Sequence, residues 1–535
     1  MRTVLGGVTP NLRRSRSETR RLRLWPVGIA LALAFAMAVT VAAAVFYTGW
    51  NLLGVQGLQP EHRLTSTTLF DLVKLAFGVV AGAGALVALV VAYRRQRIDE
   101  DGALRESTRL HTERFTTAVS QLGEESAAVR LGGVHALAGL ADDAPTRDLR
   151  QTCIDVLCAY LRLPYTAEAD LPPGDAPARH AYLALREVRH TVIRLIRDHL
   201  RLPLPDPHSW QGHNLDFTGV VFDGGDLNGA VFSGGTVSFG GAVFSGGTVN
   251  FDGAVFSGST VYFDGAEFSG STVYFSSAEF SGSEVRFRGA VFSGGTVYFD
   301  GAEFSGGMVD FSAEFSGGTV RFRGAKFSSG RVGFRAAEFS GGMVDFGAAK
   351  FTGGTVDFSA MFSGGTVRFR SAKFSSGTVD FRGAMFSGST VDFRGAVFSG
   401  GTVDFSGPAA AGAEFSGGTV DFVAAEFSGS TVDFARVRFI GSMVGFVAAE
   451  FSGSTVDFSA AKFSGGPVDF SAAKFSSGPV DFVGAKFSSG AVDFRGAEFT
   501  GGTVDFSSAN GVAPSDLMPS GGNPLPTGLT VPSTW

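Results

Sequence analysis

Ala254-Val255-Phe256-Ser257-Gly258-Ser259-Thr260-Val261-Tyr262-Phe263-Asp264-Gly265 runs directly into Ala266-Glu267-Phe268-Ser269-Gly270-Ser271-Thr272-Val273-Tyr274-Phe275. The two stretches share one phrase of twelve residues, roughly A-x-F-S-G-G-T-V-D-F-x-x, which recurs to Phe506. Phenylalanine spacing alternates between seven and five, after opening steps of five at Phe217, Phe222, Leu227 and Phe232. Three steps break the count: four from Phe311 to Phe315, four from Phe358 to Phe362, and ten from Phe405 to Phe415. A fixed short period is the mark of a solenoid, whose units have no core until they stack. Two residues before each Phe stands a small or branched residue, as in Ala254 before Phe256 and Val356 before Phe358. Positions two apart in an extended strand point the same way. Ala or Val therefore points inward with Phe, and the residue between them points outward. Gly and Ser fill the corners, where a positive φ carries no steric cost for Gly.

This pattern resembles the pentapeptide-repeat family, whose consensus is A-(D/N)-L/F-x-x. Leu215-Asp216-Phe217 and Ala230-Val231-Phe232 match its plain unit, and the resemblance covers about residues 214–507. It implies a mainly β fold, a right-handed quadrilateral β-helix with four strand positions per coil. Two extra residues after every second pentapeptide predict coils of about 24 residues with longer corners on two opposite edges. At the spacing of neighbouring strands, about twelve coils make a rod about 55–60 Å long. The ten-residue step around Pro408 to Ala411 is expected to be a loop, leaving Phe405 and Phe415 on adjacent faces.

Composition divides the chain at this repeat. Of 53 Phe, 48 lie from Phe217 to Phe506, and all eight His lie at or before His213. Two Cys exclude a disulfide scaffold. A net charge of −6 is too mild to imply a nucleic-acid partner through bulk charge. The repeat contains neither His nor Cys beyond His213, so the commonest general bases and soft metal ligands are missing there. Its Ser residues sit in S-G-G or S-G-S corners without a nearby base. G-G-T-V-D-F lacks the third Gly of a calcium-binding nonapeptide, and no Gly-rich loop carries the Lys of a P-loop. The sequence therefore predicts no enzyme and no catalytic, cofactor-binding or metal site.

Residues 25–97 read as two transmembrane helices with a short outside loop. The runs 25–47 and 75–93 carry no charge, and about 20 residues span a bilayer as helix. Arg2, Arg13, Arg14, Arg16, Arg20, Arg21 and Arg23 precede the first span, and Arg94, Arg95 and Arg97 follow the second, while the connector holds only Arg63. The positive-inside rule then keeps the basic N-terminus (1–24) and the C-terminus in the cytoplasm of a multi-pass protein. With the family resemblance, this implies a bacterial plasma membrane. A cleaved signal peptide is the competing reading of the first span, but its apolar run is too long and a second span follows.

Residues 98–212 read as a helical adaptor. Ser126 is a candidate N-cap, Asp143 and Pro145 are expected to start the next helix, and a third is expected over 181–202 after a loop at 163–177. Cys153 and Cys158 are expected to be buried thiols. The stretch 209–213 joins this block to the β-helix at 213–506. The tail, 507–535, is rich in Pro, Gly and Ser and reads as disordered. An uncovered last coil leaves unpaired strand edges, so weak homodimerisation through the last coils, or partial covering by Leu517 and Met518, is expected.

These features suggest a membrane-tethered cytoplasmic interaction or scaffold module, with the bilayer and an unknown protein as partners. The alternative is a DNA-mimicking, topoisomerase-binding protein, because some pentapeptide-repeat members act that way. The repeat has 29 acidic and 19 basic residues, a diluted acidity for such a mimic. Direct nucleic-acid binding is not expected. With four faces per coil, Asp357, Asp380, Asp404, Asp433, Asp457, Asp481 and Asp505 are predicted to form one unbroken outward column. This is the candidate interaction face, suited to a basic partner. The opposite column should read Asp345, Arg368, Asp392, Asp421, Gly445, Asp469 and Asp493.

Overall fold

A computed structural model describes residues 27–52, 65–166, 168, 171–407, 412–518 and 524–535. The chain forms two compact units, Met1–Leu110 and His111–Trp535. The first contains α1 (Val27–Leu52) and most of α2 (Ser66–Leu122), each with an apolar stretch long enough to cross a membrane. At 57 residues, α2 carries the second uncharged run and its polar continuation without a break. The basic N-terminus and connector residues 53–64 lie outside the described residues.

In the second unit, the end of α2 joins α3 (Ala127–Asp142), α4 (Arg147–Leu161) and α5 (Ala176–Arg201). Leu137, Ile154, Leu157, Val188, Val192 and Ile196 form their buried core. Ser126 occupies the N-cap position of α3 but makes no side-chain capping bond. The expected start of α4 is corrected. Thr146 is its N-cap, accepting from Leu149 N–H, while Asp143 ends α3. A Thr side chain directly before the helix reaches the free N–H of its first turn, which Asp143 is too far upstream to do. Helix α5 also begins earlier than expected. Asp175 caps it by accepting from Ala178 N–H, so Pro177 lies in its first turn, where its missing N–H costs nothing. Both cysteines are free and buried. Burial pushes the Cys153 thiol up to about 11 and Cys158 up to about 12, which leaves both protonated and inert.

Trp210 locks the helices to the first coil. It is fully buried, stacks on His199 at 4.1 Å, and donates its indole N–H to Asp142 at 3.2 Å. Gln211 donates to the carbonyls of Leu200 and Leu202 and accepts from Ser233 of the first repeat. One end of the solenoid is thus covered by polar-faced helices, as an array of stacked repeats requires.

The solenoid is built from four columns of short parallel strands. In chain order around one coil they carry Phe232, Phe239, Phe244 and Phe251, and these four series define the first to fourth columns. Most coils advance by 24 residues, as in Phe256 opposite Phe280. Four eight-residue strands, Glu303–Asp310, Lys326–Gly333, Lys350–Asp357 and Lys373–Asp380, run through the corner between the first two columns. They merge those columns into one 22-stranded sheet, and the third and fourth columns form sheets of 13 and 12 strands. The inward alternation is as the sequence predicts: Ala254, Phe256, Val261 and Phe263 are fully buried. Rings stack on the next coil in parallel, as Phe239 on Phe263 at 4.6 Å. Rings of the second and fourth columns meet edge to face across the core, as Phe239 and Phe251 at 5.7 Å and 84°. Aromatic pairs in these two arrangements each add roughly 0.5–1.5 kcal/mol beyond burial.

The corners follow two rules. After Phe251, the carbonyl accepts from Ala254 N–H at 3.0 Å, and Gly253 between them has φ 62°. This is a turn needing a left-handed third residue. In the S-G-G corner the reason for Gly is contact between coils, because a Cβ on Gly295 would lie 2.1 Å from Ser271 O. The irregular steps are absorbed at corners of the first kind. Ala360 N–H bonds to Phe358 O, tightening a corner that has lost one residue. Across the long step, Ala413 N–H still bonds to Phe405 O at 2.9 Å. Phe405 stacks on Phe381 and Phe434, and Phe415 on Phe386 and Phe439, so the two occupy adjacent faces as expected. The insert itself, residues 408–411, lies outside the described residues.

The expectation of a disordered tail is corrected. Asn510–Gly511 adds a thirteenth strand to the third column, one coil more than the sequence count. Leu529–Thr530 pairs with Val504 and Asp505, Leu517 and Leu529 are buried, and Trp535 lies 5.6–5.7 Å from the rings of Phe506 and Phe487. The tail thus occupies the edge through which end-to-end pairing was expected. Apolar anchors at this spacing outweigh a Pro- and Gly-rich composition because an open coil end offers both unpaired N–H groups and bare Phe rings.

Two outcomes follow. Phe369 is fully buried between Phe346 and Phe393, so Phe369→Ala should cost about 3–5 kcal/mol in urea unfolding of the full chain. Ending the chain after residue 518 should lower the melting temperature and produce concentration-dependent association in sedimentation. A truncated chain that keeps its melting temperature and stays monomeric would show that the tail is not a cap.

Candidate interaction surface

The register places the candidate aspartates in one column. Asp357, Asp380, Asp404, Asp433, Asp457, Asp481 and Asp505 are successive partners on parallel strands of the second column. The fourth column, on the opposite side of the coil, runs Asp345, Arg368, Asp392, Asp421, Gly445, Asp469 and Asp493. Neighbours one coil apart are about 4.8 Å distant. Two charges at about 4 Å interact by about 1 kcal/mol even in water.

The side chains are less open than their outward position suggests. Asp357 and Asp380 are buried at 7% and 9% exposure, and the other five are half-buried. Each carboxylate folds back on its own corner. Oδ1 of Asp357, Asp380, Asp404, Asp433, Asp457, Asp481 and Asp505 accepts the backbone N–H two residues on, at 2.6–3.0 Å. Asp345, Asp392, Asp421, Asp469 and Asp493 do the same on the opposite face. This Asx geometry satisfies an N–H that the following turn would otherwise leave free. Asp is therefore a corner cap first and a surface charge second.

Ion pairs divide the second column. Arg331 approaches Asp357 at 3.5 Å. Arg382 forks onto Asp380 at 2.6 Å and reaches Asp404 at 3.5 Å. Asp433, Asp457, Asp481 and Asp505 make no ion pair among the described residues; Ala435, Ser459, Val483 and Ser507 stand where Arg382 would be. Burial, and then the charges of Asp404 and Asp457, raise the Asp433 carboxyl above its usual range. Burial, with Asp457 and Asp505, does the same to Asp481. For Asp392 burial acts upward too, but the bonds from Arg394 outweigh it and lower the group.

Basic residues stack in neighbouring columns. Lys326, Lys350 and Lys373 are successive partners on the first. Arg438, Lys462 and Lys486 are successive partners on the third, one corner beyond Asp433, Asp457 and Asp481. Among the described residues no group of three or more His, Cys, Asp or Glu is arranged to hold a metal.

Sequence reasoning did not find the polar dock between α5 and the first coil. Asp223 is buried and accepts from the hydroxyls of Tyr165 and Tyr182, with Arg186 at 3.4 Å and His190 at 3.5 Å. Burial acts to raise its carboxyl, but the bonds from His190, Tyr165 and Tyr182 hold it well below the usual range. The trace in the sequence is Asp223 itself, standing where later repeats carry Ser.

Comparison with known proteins agrees with this geometry. Residues 217–261 and 251–303 match the family model described as Pentapeptide repeats (9 copies). The coils beyond residue 303 continue the same register of parallel strands. No curated protein and no solved structure matches the chain.

The raised carboxyls have a thermodynamic sign. A group whose folded pKa exceeds its unfolded value stabilises below the unfolded pKa and loses that contribution as pH rises through the folded one. Asp433→Asn and Asp481→Asn keep an acceptor oxygen for the corner but carry no charge. Each should gain about 1 kcal/mol at neutral pH, and the gain should fade as pH falls through the raised folded pKa and be gone below the unfolded value of about 4. Asp433→Ala removes the charge and also the acceptor for Ala435 N–H, so it should be about 1 kcal/mol less stable than Asp433→Asn. Melting temperatures measured against pH check both signs.

Proposed function

The chain belongs to the pentapeptide-repeat proteins, and on that premise we propose that it is a membrane-tethered interaction module without catalytic activity, whose bare acidic stretch docks a basic protein surface. The observation that carries this reading is the unpaired run Asp433, Asp457, Asp481 and Asp505. Corner capping explains why Asp stands at each position. It does not explain why the arginine seen at Arg382 is absent from four successive coils. A stack of fixed, half-desolvated carboxylates held by one backbone bond each is a preorganised surface for cations, because little side-chain freedom is lost on docking.

The basic stack Arg438, Lys462 and Lys486 on the adjoining face narrows the contact to a single face, so the partner must present a basic ridge rather than a broad basic groove. Columns of both signs also distinguish this rod from a uniformly acidic duplex, so the DNA-mimic alternative draws no support from the surface. Membrane tethering is supported by the two helices. Their apolar side chains, among them Phe35, Leu75, Phe77 and Val80, are exposed. Burying such surface in lipid recovers roughly 25 cal/mol per Å². With the arginines flanking the spans, the rod belongs on the cytoplasmic side.

The test is a capture experiment from detergent-solubilised membranes with the full chain and its Asp433→Asn, Asp457→Asn, Asp481→Asn variant. The expected result is a basic protein held by the native chain, released at about 0.5 M salt, and lost from the triple variant. Identical capture by both chains would reduce the acidic stretch to corner chemistry alone.

A further inference from the structure

A shallow cavity of about 370 Å³ opens beside the fourth column, where its aspartates alternate with arginines. Arg323, Arg368, Arg370 and Arg394 wall it, and the buried Asp345 and Asp392 lie at its base. Both carboxylates are already engaged. Asp345 accepts from Gly347 N–H at 2.8 Å. Asp392 accepts from the Arg394 guanidinium at 2.6 and 2.9 Å, and Arg394 also approaches Asp421 at 3.5 Å.

The other three arginines are different. Arg323, Arg368 and Arg370 are exposed and make no ion pair among the described residues. Arg368 Nη1 instead lies 2.9 Å from the Met343 thioether, a weak acceptor for a guanidinium. The opening has a simple origin. Gly347 stands in the corner column between Arg323 and Arg370, as shown by Gly324 N–H bonding to Gly347 O and Ala348 N–H to Arg370 O. Two arginines whose backbones lie two strand spacings apart, roughly 9–10 Å, therefore flank a position with no side chain.

We propose that this cavity binds a phosphate group. A guanidinium presents paired N–H donors suited to the oxygens of phosphate. A tetrahedral dianion has enough acceptors to take a fork from Arg323 above and Arg370 below while Arg368 turns from sulfur to oxygen. A single carboxylate has two oxygens and satisfies only one of the two forks. Arg323, Arg368 and Arg370 spend no guanidinium on an ion pair among the described residues, so their forks are available to a dianion. The site lies on the face opposite the acidic docking stretch and does not depend on it.

Phosphate in this cavity comes either as the free ion or as a phosphoryl group carried on a peptide. The full chain in detergent is titrated calorimetrically with inorganic phosphate and, in parallel, with a phosphoserine peptide and its unphosphorylated form, all at constant ionic strength. Saturable binding of one phosphate per chain is expected. Arg323→Gln and Arg370→Gln should each weaken it at least tenfold, while Lys350→Gln on the first column should leave it unchanged. The arginine side chains are exposed, so these variants should keep the native melting temperature. Tighter binding of the phosphopeptide than of the free ion identifies a phosphorylated chain as the source, and the reverse order identifies the free ion. Either order supports the site. No saturable binding, equal binding of the unphosphorylated peptide, or binding unchanged by both arginine substitutions overturns it.

Discussion

Everything outside the core of this rod depends on a match of two distances inside it. Parallel strands joined by hydrogen bonds repeat at about 4.8 Å, and the stacked phenyl rings of successive coils repeat at the same interval, as Phe251 on Phe275 at 4.8 Å. Backbone pairing and ring stacking therefore reach their optima together. A coil that slipped by one residue would turn its Phe outward and lose both contacts at once. The register is fixed by this coupling, and the surface has no independent freedom to choose its own.

The outward residues inherit that interval whether or not it suits them. Like charges are brought within a few ångströms in the aspartate column and again at Lys326, Lys350 and Lys373. The chain relieves the conflict differently along its length. Arg382 bridges two aspartates and Arg394 a third and fourth. Glu303 and Lys326 pair across successive coils, as do Glu450 and Lys474. In the last coils of the second column no such partner appears among the described residues, and the aspartates are held by their backbone bonds instead. A carboxylate accepting a backbone N–H is stabilised in its charged form, so corner capping offsets part of the repulsion that the register imposes.

The periodicity exposes almost all of the solenoid to sequence reading because the rule is local: each Phe and the small residue two before it decide their own face. The aspartate registers are legible for the same reason, once the long step at Phe405 is treated as a corner. What escapes is decided by non-local contacts. Composition makes the tail read as disordered, yet Leu517, Leu529 and Trp535 are placed by a coil end that is not visible in their own sequence. Asp223 is placed by α5, some thirty residues upstream, through Arg186 and His190. Burial of the aspartates also escapes, because alternation gives the direction of a side chain and not whether it folds back onto its own corner.

The same logic explains why departures from the repeat locate chemistry better than the repeat does. A residue present in every coil answers a demand present in every coil, and Asp at the corner answers the free N–H beyond it. Arg323, Gly347 and Arg370 answer no such demand, since the corner closes equally well around Ser276, Val423 or Ser459. Arg323, Arg368 and Arg370 make no ion pair among the described residues, and their like charges repel one another. A dianion bound at this cluster would supply the countercharge that no ion pair among the described residues supplies. The bare aspartates of the opposite face carry the same argument with the sign reversed.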